Sequence, residues 1–145
     1  MRISMKTDYS VRAMIDLALH YGQGPQQSRD IAARQRVPEA YLDQLLTTLR
    51  KAGLIRSVRG PQGGHSLARA PVDVTLGEVV EAVEGPFVPI GCMDDAENCE
   101  LGPTCAQREV WREVRHAVSE ILARVSIDDM ARRQVRGFEE ARYYI

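Results

Sequence analysis

Cys92, Cys99 and Cys105 are the three cysteines of the chain, and all lie in one polar, turn-rich stretch. Buried structural thiols pack like small hydrophobes and scatter through a core. Three gathered among Gly, Asp, Asn, Glu and Pro point to ligation or redox chemistry instead. An odd count without a secretory segment argues against a disulfide framework. Thiolates are soft donors, so the guests to consider are zinc and an iron–sulfur cluster. The spacing C-x6-C-x5-C lacks the close pairs of structural zinc sites and the tight runs of ferredoxins. Three such thiolates leave one position for another ligand. Asp8, His20, His65, Arg108 and His116 are the candidates. Arg108 is a poor one, because a guanidinium offers no lone pair. Asp8, at the start of the first helix, also suits a helix dipole without any metal. A nucleophilic cysteine would need a base held nearby. No His lies in the loop and no catalytic signature surrounds it, so no enzyme activity is expected.

The elements around this loop read as mainly α with a small β wing. Val11, Met14, Ile15, Ala18 and Leu19 recur at helical spacing over residues 8–21, and Gly22, Gly24 and Pro25 end the run. Ser28 can cap a second, short helix, and Pro38 suits the first turn of a third, which runs to about Ala52 before Gly53. On that third helix Leu42, Leu45, Leu46 and Leu49 form one apolar stripe. Ala40, Asp43, Gln44, Thr47 and Lys51 lie on the opposite face. A short helix, a turn and a second helix with a small polar outer face is the layout of a helix-turn-helix. Next come Ile55 and Val58 in one strand and Ser66–Arg69 in its partner, joined by RGPQGGH. A helix-turn-helix followed by a basic-tipped hairpin is a winged helix, and its Arg59 can enter a minor groove. No Lys-Ser/Thr pair follows the glycines, so they are no phosphate cradle.

Thr75-Leu-Gly-Glu78 is a capping box opening a helix that ends near Gly85. After the cysteine loop a long helix starts near Cys105. Trp111, Val114, Val118, Ile121 and Val125 alternate spacings of three and four along it, a two-heptad seam that suits a dimer element. Residues 126–136 can add a last short helix, and the tail FEEARYYI carries no clear signal. The expected division is a DNA-binding winged helix-turn-helix at 1–85, a cysteine loop at 86–105, and a dimerisation helix with tail at 106–145.

The net charge of −1 hides an asymmetry. Residues 1–71 carry 11 Lys/Arg against 5 Asp/Glu, a net +6, and residues 72–145 carry 8 against 15, a net −7. A basic first half suits a polyanionic partner. The absence of an apolar leader or bilayer-length stretch predicts a soluble, cytoplasmic protein with no membrane partner.

The opening MRISMKTDYSVRAMIDLAL, the run YLDQLLTTLRKAGLIRSVRGPQGGHSL, the TLGEVVEAVEG helix and CAQREVW after the third cysteine together resemble one family. It is that of the winged-helix bacterial regulators that include the iron–sulfur-cluster regulator IscR and the nitric-oxide-sensing repressor NsrR. The likeness spans residues 1 to about 130. It implies a homodimeric transcription factor bound to double-stranded operator DNA, with Cys92, Cys99 and Cys105 holding an iron–sulfur cluster. Where the IscR branch has a ligand histidine, this chain has Arg108. The NsrR branch can use an aspartate from the other subunit's first helix, and Asp8 stands at that place. The resemblance therefore favours Asp8 as fourth ligand and 4Fe–4S over 2Fe–2S. Helix phase then turns Ala40, Asp43 and Gln44 to the bases and places Ser28, Tyr41, Thr47 and Lys51 at phosphates. Arg59, with Pro61 and Gly63 in the wing loop, reaches the minor groove. The competing readings are a metal-free thiol-switch regulator, an iron–sulfur carrier or redox protein without DNA binding, and a zinc-stabilised interaction module.

Overall fold

A computed structural model describes residues 2–93 and 99–144. Among them, three helices form the first layer: α1 Met5–Leu19, α2 Ser28–Gln35 and α3 Glu39–Lys51. Helix α1 starts three residues earlier than periodicity suggested, because Ser4 caps it by accepting from the Thr7 N–H. The Ser4 and Thr7 hydroxyls both donate to Glu84, at the far end of α4. Ser28 is the first residue of α2 rather than its cap, which is Gln27. Pro38 likewise sits at the cap of α3, just before its first turn.

Strands β1 Ile55–Val58 and β2 Gly64–Leu67 pair antiparallel, with Ile55 opposite Leu67 and Ser57 opposite His65. The wing does not stand alone. Gln26, from the segment between α1 and α2, adds one isolated bridge to β2: its N–H donates to the His65 carbonyl at 2.8 Å, and the His65 N–H donates back at 2.7 Å. Gly64 makes that approach feasible. It has φ +146°, and a Cβ there would collide with the Gln26 backbone.

Helix α4, Leu76–Glu84, opens with the expected Thr75/Glu78 capping box. Two single 3-10 turns, Gly91–Met93 and Gly102–Thr104, lie within the cysteine loop. The long helix α5 covers Ala106–Arg124, and α6 covers Ile127–Tyr143. The expected short final helix over 126–136 is thus corrected to 17 residues that take in most of the tail. Ser126 and Asp129 form a second reciprocal capping box, and Ile127 and Ala131 bury against α1. The reciprocal N-terminal cap and one buried stripe outweigh the single helical Gly137.

The core joins Met14 and Leu17 of α1, Ile31 of α2, Leu42, Leu46 and Leu49 of α3, Ile55 and Leu67 of the wing, Val74, Val79 of α4 and Ile127 of α6. Thr75 and Ser126 pair as an isolated bridge. Leu76 N–H donates to Val125 and Ile127 N–H to Val74, each at 2.8 Å. The two capping boxes therefore lie side by side. Among the described residues no helix is long and apolar enough to cross a membrane.

One polar group sits inside this frame. Asp16 is 1% exposed. Its carboxylate accepts from Arg34 Nε at 2.9 Å and Nη2 at 2.7 Å, and from Gln35 Nε2 at 3.1 Å. Arg34 is in turn held more firmly protonated, first by its hydrogen bond to Asp16. Removing the solvent-facing guanidinium strands the buried charge of Asp16. Arg34→Ala is predicted to lower the unfolding free energy by about 3 kcal/mol, measured by urea denaturation. A loss below about 1 kcal/mol would mean that the remaining partners suffice for the carboxylate.

Candidate functional site

Two regions carry the chemistry: the outer face of α3 with the wing, and the cysteine loop. On α3, Ala40, Asp43, Gln44 and Lys51 are exposed while Leu42, Leu45, Leu46 and Leu49 are buried. The apolar stripe thus fixes the polar face outward, where it can enter a groove. Thr47 is partly exposed, and its hydroxyl donates to the Asp43 carbonyl at 2.9 Å. Tyr41 is half-buried and meets Tyr9 of α1 edge to face, with ring centroids 5.7 Å apart.

At the wing tip Arg59 and Pro61 are exposed, and the Pro61 carbonyl accepts from Gln27 Nε2 at 3.2 Å. Gly63 is buried, and a Cβ there would strike the Val58 carbonyl. Its place in the loop is therefore one of backbone packing, with no outward surface. Arg29, Arg50 and Arg56 add exposed cations in the same first half.

Ser28 is occupied in a way that spacing does not reveal. Its hydroxyl lies 3.0 Å from His65 Nε2, and the Ser57 hydroxyl lies 2.8 Å from His65 Nδ1. His65, a candidate ligand by residue type, has both ring nitrogens engaged by serines. His20, another candidate, places Nδ1 2.8 Å from the Asp16 carbonyl oxygen. His116 pairs with Glu120 on the surface of α5.

In the loop, Cys92 is exposed on the 3-10 turn, and Cys99 and Cys105 are half-buried. Cys105 stands at the cap of α5 with no side-chain cap bond. The Cys99 thiol is held below its ordinary range, first by the Gly102 N–H and next by the Leu101 N–H, with the Arg108 charge and a hydrogen bond from Cys92 adding to the effect. Arg108 also donates to the Gly102 carbonyl at 3.4 Å, bracing this turn. Among the described residues no three His, Cys, Asp or Glu side chains converge on a metal position; Asp8 is engaged by Arg12 at 2.8 Å. The donor chemistry nevertheless fits an iron–sulfur cluster. Three soft thiols share one loop, and one sulfur already receives the backbone N–H bonds that tune such centres.

The seam expected on α5 is half-covered. Trp111, Val114, Val118 and Val125 are partly buried and Ile121 is 49% exposed. No residue of α5 is fully buried in the single chain. Gly77 of α4 lies against the Leu122 backbone, where a Cβ would sit 3.3 Å away. Leu122, outside the predicted seam, thus lies where α5 packs on α4.

A stabilised thiolate reacts before its neighbours. With the loop free of metal, limiting iodoacetamide near neutral pH is predicted to label Cys99 ahead of Cys92 and Cys105, read by peptide mass spectrometry. Equal rates at all three would refute the thiolate stabilisation.

A family model described as "Iron-dependent Transcriptional regulator" and named Rrf2 matches residues 3–133. The chain is 38% identical over 131 residues to the HTH-type transcriptional regulator CymR of Bacillus subtilis, covering 90% of each protein. Its fold is similar to the solved structure of that CymR, described as the global cysteine regulator of B. subtilis. The TM-score is 0.77, with 37% identity, 90% of this chain and 96% of that one covered. It is similar also to the structure of T. potens IscR, with a TM-score of 0.74, 38% identity, and 97% and 90% covered. A basic winged helix matched over nine-tenths of its length by named transcriptional regulators leaves one assignment: the chain belongs to the Rrf2 family of transcriptional regulators.

Proposed function

We propose that the chain is an iron–sulfur-dependent repressor that binds operator DNA as a cytoplasmic homodimer and responds to cluster status, nitric oxide, redox state or iron supply. The observation that carries this reading is the cysteine loop: three soft donors, one already receiving two backbone N–H bonds, in a chain matched by an iron-dependent family model. Cys92, Cys99 and Cys105 would hold the cluster, with Asp8 of a second copy as fourth ligand and 4Fe–4S favoured over 2Fe–2S. When bound, the cluster would supply an iron centre open to oxidants and nitric oxide. Residues 1–85 would read the duplex, 86–105 hold the cluster and 106–145 pair the copies. The partly exposed seam of Trp111, Val114, Val118, Ile121 and Val125 supports the pairing.

The chain's own side chains offer a path from ligand to reader. Arg12 pairs with Asp8 at 2.8 Å and lies 5.6 Å from the Tyr9 ring centre. Tyr9 packs edge-on against Tyr41 of α3. Drawing Asp8 away from Arg12 would disturb that stack and the pose of the face bearing Ala40, Asp43 and Gln44. Coupling of about 1–3 kcal/mol changes affinity some 5- to 150-fold.

The test is the absorption spectrum with iron and sulfide analysis of protein purified without air. About four of each per chain is expected, and about two would replace 4Fe–4S with 2Fe–2S. A colourless protein after attempted reconstitution would overturn the cluster. It would favour the second reading, a thiol switch, in which the Cys92 and Cys99 thiols, already hydrogen-bonded, give two electrons and two protons to an oxidant and form a disulfide. The relative described as a global cysteine regulator supports that alternative.

The DNA-reading half has its own test. Arg59→Ala is predicted to weaken operator binding by about 1–3 kcal/mol and relax sequence preference at one position. Binding unchanged across operator variants would remove Arg59 from the minor groove.

A further inference from the structure

His65 is placed where no metal ligand or free wing residue would be. Its backbone pairs with Gln26, and its ring spans from the Ser57 hydroxyl on β1 to the Ser28 hydroxyl at the start of α2. Both contacts are of hydrogen-bond length, 2.8 and 3.0 Å. Two glycines make the position reachable, since a Cβ at Gly63 or Gly64 would strike the neighbouring backbone. Burial pushes the imidazole below its ordinary value; on α3, Asp43 pulls it up and Arg50 pushes it down.

A neutral imidazole has one N–H and one lone pair. One serine must therefore donate to the ring and the other must accept from it. If Ser28 donates to Nε2, its proton is engaged, and its lone pairs face a phosphate that has nothing to give. If Nε2–H donates to Ser28, the serine's own proton is free for an anionic oxygen, and Ser57 donates to Nδ1. Only the second arrangement lets Ser28 act as a phosphate donor.

We propose that His65 is a positioning residue of the DNA interface: its Nε2–H orients the Ser28 hydroxyl so that it donates to a backbone phosphate at the start of α2. The inference rests on the DNA-binding reading and goes beyond it. The wing itself is held by main-chain bonds to Gln26. A change of the His65 side chain therefore leaves the wing docked while releasing Ser28.

The test is a double-mutant cycle on the full-length chain, with a short mixed-sequence duplex as probe, because phosphate contacts act on any sequence. Asn places an amide near the Nδ1 position and Gln reaches the Nε2 position. His65→Asn and Ser28→Ala are each expected to weaken binding by about fivefold. The double variant should bind no worse than either single one, and His65→Gln should stay near the parent. The dependence on salt should be unchanged throughout, since no cation is lost. Thermal unfolding of each variant separates a folding defect from a binding one. A salt slope reduced by about one in His65→Asn would mean that a cation of the wing has left the DNA, and would overturn the proposal. So would an undiminished effect of His65→Asn in the Ser28→Ala background, or Ser28→Ala binding like the parent. A parent that fails to bind the duplex at all overturns the DNA-binding reading and this inference with it.

Discussion

The buried carboxylate of Asp16 is the point on which the winged-helix unit hangs. It sits in α1, yet its partners Arg34 and Gln35 come from α2. Arg34 extends the tie by donating to Gln26 Oε1 at 3.0 Å, and the Gln26 backbone carries the wing. One charge inside the protein thus sets the packing of α1 on α2 and, one residue further, the seat of β2. A carboxylate in that position would be a liability without the bidentate guanidinium, which matches its geometry. Apolar burial alone is non-directional; the hydrogen bonds of this pair add a direction that oily packing lacks.

Much of this architecture was legible from residues. The stripe on α3 was readable because buried leucines at helical spacing leave little choice of face, and the Thr75/Glu78 box was readable because both partners are local. What escaped depended on partners distant in sequence. Asp16 looks like any helical acid until Arg34 is brought to it. The GG of the wing reads as a turn, whereas its work is to let two backbones approach. By residue type His65 is a candidate ligand, and only the fold supplies the two serines that occupy it. In α6, the Ser126 box was present in the sequence. The tail beyond residue 136 lacks an apolar period strong enough to extend it: its large apolar residues Phe138, Tyr143 and Tyr144 share no buried stripe and stand exposed.

The cysteine loop shows the same divide. Its composition and position announced thiol chemistry before any fold was known. The stabilised sulfur of Cys99 could not be anticipated, because it depends on N–H groups of Leu101 and Gly102 aimed by a single 3-10 turn. Arg108, which as a residue type merely fails as a ligand, proves to brace that turn from the first helical positions of α5. Its charge adds to the backbone N–H bonds in favouring the ionised form of Cys99.

Ile127 is fully buried in the core shared by α1, α3, α4 and the wing, and its neighbour Ser126 pairs with Thr75. The last stone of the N-terminal unit is thus laid by a residue close to the other end of the chain. As the polypeptide leaves the ribosome, the first three helices and the wing emerge with a gap where Ile127 belongs. They can settle only when α5 and the first turn of α6 have followed. A nascent chain cut short before that point would present α3 on an unfinished core, so the winged-helix unit is completed only after α5 and the first turn of α6 have been made.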